Sequence, residues 1–283
     1  MGRLESRFRN VLCILAVTGG LLGADSGADA QTYRSGQNLQ PVFEGWEQNA
    51  DGSFTMVFGY LNRNHGEHLN IPVGPDNYLE PGPVDQGQPA YFYPRRQRYR
   101  FRVRVPANWG DRELVWRVTA YGRTDQAVGW LVPEQIIDEQ VIAMNRAGGG
   151  APEGLNEAPS ITLVGEPART VAAGEPLTLT VLVSDDGIPE QRAAPNSRPP
   201  GRRNARGLRA TWLQHRGPGT VTFDPWTAPM ADHTPGWLPP PLDADGRVVT
   251  QATFSTPGTY VLHGIADDGY LYSTEDVTVT VVP

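Results

Sequence analysis

Phe254-Ser255-Thr256-Pro257-Gly258-Thr259-Tyr260-Val261-Leu262-His263-Gly264-Ile265-Ala266-Asp267-Asp268-Gly269 decides how the C-terminal half of this chain folds. Pro257-Gly258 makes a turn, because Pro presets one φ angle and Gly accepts a positive φ at the next position. A strand follows whose first large residue is Tyr260, and Asp267-Asp268-Gly269 ends it with another turn. A second strand, Asp276 to Val282, runs from there. This is the pattern of the last hairpin of a two-sheet β-sandwich.

Further strands fall into place upstream of that hairpin. Ile161 to Val164 predicts the first strand, and Leu177, Leu179, Val181 and Val183 alternate with Thr178, Thr180 and Leu182 in the second. Trp212 sits on a short third strand, Val221 and Phe223 follow Gly217-Pro218-Gly219, and Val248 to Phe254 precedes the closing hairpin. Tyr260 occupies the place of a tyrosine corner and Trp212 that of the buried strand-C tryptophan of an immunoglobulin-like sandwich. Leu262, with Leu179 or Val181, stands where antibody domains place bridging cysteines.

The N-terminal half reads as a second sandwich. Phe54, Met56, Phe58 and Tyr60 alternate with Thr55, Val57 and Gly59, the period of two of a half-buried strand. A loop rich in Gly, Pro, Asp and Asn runs from Asn62 to Pro89; its length means that it is functional or ordered by its own contacts. Arg98, Arg100, Arg102 and Arg104 then alternate with Tyr99, Phe101, Val103 and Val105, which predicts one buried face and four guanidiniums in a row on the other. Leu114, Trp116, Val118 and Ala120 alternate in a pairing strand, and a last strand is expected between Ala127 and Val132. The expectation is an all-β chain of two tandem immunoglobulin-like sandwiches, 41–145 and 159–283, with a polar, flexible lead-in at 31–40. The linker between them is Gly- and Pro-rich, at 146–158.

Composition agrees. The 283 residues are enough for two cores, and 32 Gly with 26 Pro favour short strands joined by turns. All 24 basic side chains are Arg, and a net charge of −7 gives no reason to expect nucleic acid as partner. Residues 1–30 have the form of a signal peptide: Arg3, Arg7 and Arg9, then an apolar run from Val11 to Leu22, then Ala28-Asp29-Ala30 as cleavage pattern. Cleavage before Gln31 would remove Cys13, the one cysteine, so the mature chain would hold together without disulfides. No later segment is apolar enough to span a bilayer.

Two resemblances follow from motifs. Phe58-Gly59-Tyr60-Leu61-Asn62-Arg63-Asn64, Ile71-Pro72-Val73-Gly74-Pro75-Asp76-Asn77 and Pro81-Gly82-Pro83-Val84-Asp85-Gln86-Gly87-Gln88-Pro89, with Leu114-Val115-Trp116, resemble a module that recurs beside immunoglobulin-like repeats in large bacterial secreted and surface proteins. Trp212-Leu213-Gln214-His215-Arg216-Gly217-Pro218-Gly219, Gly258-Thr259-Tyr260 and Ala266-Asp267-Asp268-Gly269 resemble the PKD-like group of bacterial immunoglobulin-like domains. The resemblances imply an exported setting, in the periplasm or at the cell surface, and a protein or glycan of the envelope as partner. They imply no activity.

Four constellations are candidates for function. Asp185-Asp186-Gly187 and Asp267-Asp268-Gly269 close two strands that share one end of the sandwich, and Asn156-Glu157 should lie near them. Oxygen ligands gathered there would suit Ca²⁺, the one cofactor the sequence suggests; equally, Asp-Asp-Gly is good turn chemistry in itself. The Arg98–Arg104 ladder could grip phosphates, sulfates or uronic acids, or be a solvated face paired with acids such as Glu113. Tyr91, Tyr93, Trp226 and Trp237 could stack on sugar rings or anchor loops. His65-Gly66-Glu67-His68 has metal-binding residue types but no obvious further ligand. With no nucleophile elbow, phosphate loop or supported Ser/His/Asp set, the expectation is a non-catalytic binding, adhesion or structural module. The alternatives are a carbohydrate-binding accessory module and a subunit of a larger envelope assembly.

Overall fold

The computed structural model describes residues 33–138, 141–142, 145, 156–188, 208–225 and 242–283. The expected signal peptide, most of the expected linker and Trp226 and Trp237 lie outside them. Tyr33–Pro283 forms one compact unit, all-β in character.

Its N-terminal part carries β1 (Leu39–Gln48), β2 (Phe54–Asn62), β3 (Leu69–Asn70), β4 (Asn77–Glu80), β5 (Tyr91–Phe92), β6 (Arg95–Val105), β7 (Leu114–Ala120) and β8 (Arg123–Gly129). The order β1-β2-β6 makes one antiparallel sheet and β4-β7-β8 the other, with β3-β5 as a small third piece. Alternation sends Met56, Phe58, Phe101 and Val103 inward to meet Leu114, Trp116 and Val118. Phe58 stacks on Phe101 at 5.3 Å, and Phe101 meets Trp116 edge-on at 4.8 Å, the offset and T-shaped geometries that ring quadrupoles favour.

The long loop is ordered by its own buried amides. Asn77 is fully buried; its Nδ2 donates to Ile71 O at 2.9 Å and Pro89 O at 2.7 Å, while its Oδ1 accepts from Trp116 Nε1 at 2.9 Å. One side chain thus ties both arms of the loop to the core, and each buried polar atom has its partner. The expected flexible lead-in is partly corrected. Gly36 N donates to Glu67 Oε2 at 2.8 Å and Gln37 N to Asn64 Oδ1 at 2.7 Å, so residues 33–38 are held against the loop, and β1 begins at Leu39.

The C-terminal part carries β9 (Ser160–Leu163), β10 (Ala168–Ala172), β11 (Pro176–Ser184), β12 (Arg209–Arg216), β13 (Val221–Asp224), β14 (Arg247–Phe254), β15 (Gly258–Asp267) and β16 (Tyr272–Val282). Strand orders are β13-β14-β11-β9 and β10-β16-β15-β12, antiparallel except for β10-β16. In immunoglobulin lettering these are sheets D-E-B-A and A′-G-F-C, so the immunoglobulin-like topology rests on the strand order itself. Leu179, Val181, Trp212 and Leu262 fill the centre of this core.

Tyr260 is a tyrosine corner in fact. Its fully buried ring covers Gly217, where a Cβ would lie 2.0 Å from a ring carbon. Its hydroxyl donates to Thr256 O at 2.7 Å and accepts from Gly219 N at 3.1 Å. The Gly217-Pro218-Gly219 turn is therefore shaped by the ring it has to clear. Tyr260→Phe keeps the ring and strands the two backbone groups, at a cost of about 1–3 kcal/mol. Differential scanning calorimetry should show Tm falling by about 2–4 °C for each kcal/mol in a unit of this size. An unchanged Tm would mean that water replaces the hydroxyl at no cost.

Candidate functional site

The most built polar surface of the protein is the joint between its two sandwiches. Among the described residues, strand β12 pairs with β15 on one side only. Its other edge is covered by the loop before β5 and by Tyr93 just after it. His215 O accepts from Ala90 N at 3.0 Å, and Gln214 N donates to the Tyr93 hydroxyl at 2.8 Å. Arg216 sends Nε to Gln88 O at 2.8 Å and grips both Asp85 oxygens, at 2.7 and 2.8 Å. Arg216 beside Asp85 holds that carboxyl below its usual range. An apolar patch of Tyr91, Tyr93, Leu213 and Ile265 closes the contact.

This joint uses residues that the sequence offered as ligand contacts. Tyr91 and Tyr93 are both 9% exposed, and the phenol of Tyr91 is pushed up to about 12, burial first and then nearby Tyr60. They pack protein against protein and do not form a flat stacking platform. Neither composition nor periodicity could reveal this, because a buried Tyr at a joint and an exposed one at a sugar site have the same sequence signature.

The arginine ladder is also rearranged. The β2–β6 register slips between Phe58 and Tyr60, and Tyr99 takes φ 52°. This bulge carries two extra residues on β6, so strict alternation fails within it. Tyr99 joins Val57, Ile137 and Ile142 in a small cluster. Arg102 reaches the Tyr272 hydroxyl at 2.8 Å and Glu47 at 3.3 Å. Arg104 donates to Ser53 Oγ at 3.0 Å and pairs with Asp51, and Arg98 donates to Asn145 at 3.3 Å. The acids meeting these guanidiniums are Glu47 and Asp51 and not, as expected, Glu113. Arg100 leaves the row: its Nη2 is buried without a hydrogen-bond partner, and its charge acts on Tyr60, Tyr93 and His215. Beside Arg102 a groove of about 510 Å³ runs along the joint, with Glu47, Ile137 and Tyr272 in its wall.

The aspartate turns do gather at one end. Asn156 Nδ2 donates to Asp268 Oδ2 at 2.9 Å, and Glu157 N donates to Asp186 Oδ2 at 2.9 Å. Both turns also use their carboxylates as local caps: Asp186 accepts from Ile188 N at 2.8 Å and Asp268 from Leu271 N at 2.7 Å. Asp267 is drawn aside by Arg209 at 3.1 Å. Burial, with Asp268 and Asp186 nearby, raises the Asp185 carboxyl above its usual range; burial likewise raises Asp268. Among the described residues, Asn156 Oδ1 and Asp185 Oδ1 are buried without hydrogen-bond partners. Such oxygens suit a hard cation in type. Among the described residues, however, no group of three or more His, Cys, Asp or Glu is placed to hold a metal. In the His65–His68 stretch, Glu67 is engaged by Gly36 N and the Tyr121 hydroxyl.

No protein-family model matches the chain, and no curated protein sequence does. Similar solved structures include domains 4 and 5 of the S-layer protein SbsC, at 10% identity, covering 61% of this chain and 66% of that one, with a TM-score of 0.25. A conjugative transposon lipoprotein from Bacteroides eggerthii matches at 11% identity over 42% of this chain and 95% of that one, TM-score 0.25. The fibronectin(III)-like modules of Clostridium thermocellum CbhA match at 12% identity over 80% and 85%, TM-score 0.23. The chain thus spans just under two thirds of the first of these. Likeness this distant assigns neither family nor role, and the immunoglobulin-like topology rests on strand order and the tyrosine corner.

Proposed function

We propose that this chain is an exported, non-catalytic module of the cell envelope whose two sandwiches act as one rigid binding or structural unit. The observation that carries the reading is the joint. Polar contacts from Arg216, Tyr93 and Gln88 hold one sandwich to the other. The form of residues 1–30 and the two motif resemblances support an exported setting with a protein or glycan partner. Among the described residues no helix is long and apolar enough to cross a membrane. As a carbohydrate-binding accessory module it would rely on Trp226 and Trp237, since Tyr91 and Tyr93 are taken up by the joint. A calcium ion at the aspartate turns is a second reading, favoured by the partnerless oxygens of Asn156 and Asp185.

Three measurements test this. On expression of the full chain in a bacterial host, fractionation and N-terminal sequencing should find the protein outside the cytoplasm and starting at Gln31; retention inside with Met1 intact would overturn the export reading. Calorimetry should give one transition for both sandwiches. Tyr93→Phe, which leaves buried Gln214 N–H unpaired, should lower that whole transition by about 1–3 kcal/mol; two separate transitions would refute the rigid unit. For calcium, millimolar Ca²⁺ should raise Tm by mass action, and Asp185→Asn should abolish the rise. No rise in the unmodified chain leaves these aspartates as turn caps alone.

A further inference from the structure

His215 lies in the middle of the joint and takes no part in either sandwich core. It sits where the β12–β15 register slips between Gln214 and Arg216, so a bulge aims it at the covering loop. The residue is 6% exposed. Its Nε2 lies 3.0 Å from Gly87 O, an acceptor only, so that nitrogen carries the hydrogen of the neutral ring. Its ring stands 4.0 Å from the ring of His263, tilted by 39°.

The charges around His215 offer a second proton no partner. From β12 itself comes Arg216, and from β6 comes Arg100, whose Nη2 is buried and partnerless. From β15 comes His263, which is in contact with Asp276 of β16. The covering loop brings Asp85, already gripped by Arg216. It also brings the phenols of Tyr91 and Tyr93 to the joint, and Tyr60 of β2 lies near that of Tyr93. Both nearby acids are therefore engaged, while two guanidiniums and a second imidazole face the ring.

We propose that His215 is a proton-sensitive latch on the joint: a second proton on its ring releases the 85–93 loop from the edge of β12. Release would expose the edge groups of β12 and the apolar patch of Tyr91, Tyr93, Leu213 and Ile265. It follows from the fold alone and does not depend on export or on any ligand.

The sign follows from linkage. Burial first, and then His263, hold the closed-state ring well below the usual histidine range. The open state takes up its proton near the ordinary value of about 6.5. The closed joint therefore has its full stability above about pH 6.5 and loses it as pH falls below, about tenfold per pH unit until the closed-state pKa is reached. The raised carboxyls of Glu44, Asp185 and Asp268 act in the opposite sense, favouring the folded chain as pH falls. A global melt mixes the two, so the readout has to be local.

Amide hydrogen exchange of the full chain supplies it. After correction for intrinsic rates, protection of Ala90 N–H and Gln214 N–H, relative to a core amide such as that of Val279, should fall roughly fivefold between pH 6.5 and 5.5. In His215→Gln, whose amide can still donate to Gly87 O, the ratio should not change with pH. A constant ratio in the unmodified protein, or the same fall in the variant, overturns the latch. If the variant does not fold, an NMR titration of the His215 ring in the unmodified protein decides. Proton uptake together with loss of Ala90 protection supports the latch; uptake near pH 6.5 with protection intact refutes it.

Discussion

The outer edge of β12 is the constraint on which the arrangement of this protein depends. A strand paired on one side presents a row of free N–H and C=O groups, which in water invites pairing with another chain. Here two groups of that edge, Gln214 N–H and His215 C=O, are met within the same molecule. The closing element is not a strand but a loop, which brings one amide, one phenol and two acceptors for a guanidinium. The loop can do this because Asn77 and Gln88 hold it rigid from behind. Asn77 is in turn fixed by Trp116, so the core of one sandwich supports the cover on the other.

Each sandwich solves its own packing problem without a disulfide. The C-terminal core relies on Trp212, Tyr260 and a layer of Leu and Val where other immunoglobulin-like domains have sulfur. The N-terminal core relies on a chain of aromatic rings from Phe58 through Phe101 to Trp116. The joint differs in kind: it is polar and half-wet at Asp85 but dry at His215. His215, a buried ring set against a backbone carbonyl, belongs to this joint and to neither core.

Much of the fold was legible in the sequence. Alternation located the strands, the Pro257-Gly258 and Asp267-Asp268-Gly269 turns fixed the closing hairpin, and Tyr260 with Trp212 gave the sandwich its lettering. The candidate sites were less legible. The aspartate turns, placed at one end by topology, are found together there, since strand order follows from the pattern. The arginine row failed at Arg100, because a bulge has no signature in a period-two pattern; beyond it Arg102 and Arg104 still face outward as expected. The polar stretch 31–40 reads as a flexible lead-in, yet Gly36 and Gln37 are hydrogen-bonded to the loop, because polar composition says nothing about which amides will find an acceptor 31 or 27 residues away.

The sequence by itself determined the all-β class, the number of sandwiches and the chemistry of the turns, because these depend on local periodicity and on backbone preferences of Gly, Pro and Asp. Only the tertiary structure decided that Tyr91, Tyr93, Arg216 and His215 belong to one joint. Those residues are more than 120 positions apart where they meet. Their burial, partners and protonation are properties of the contact itself, and no local pattern encodes which surface a strand edge will meet.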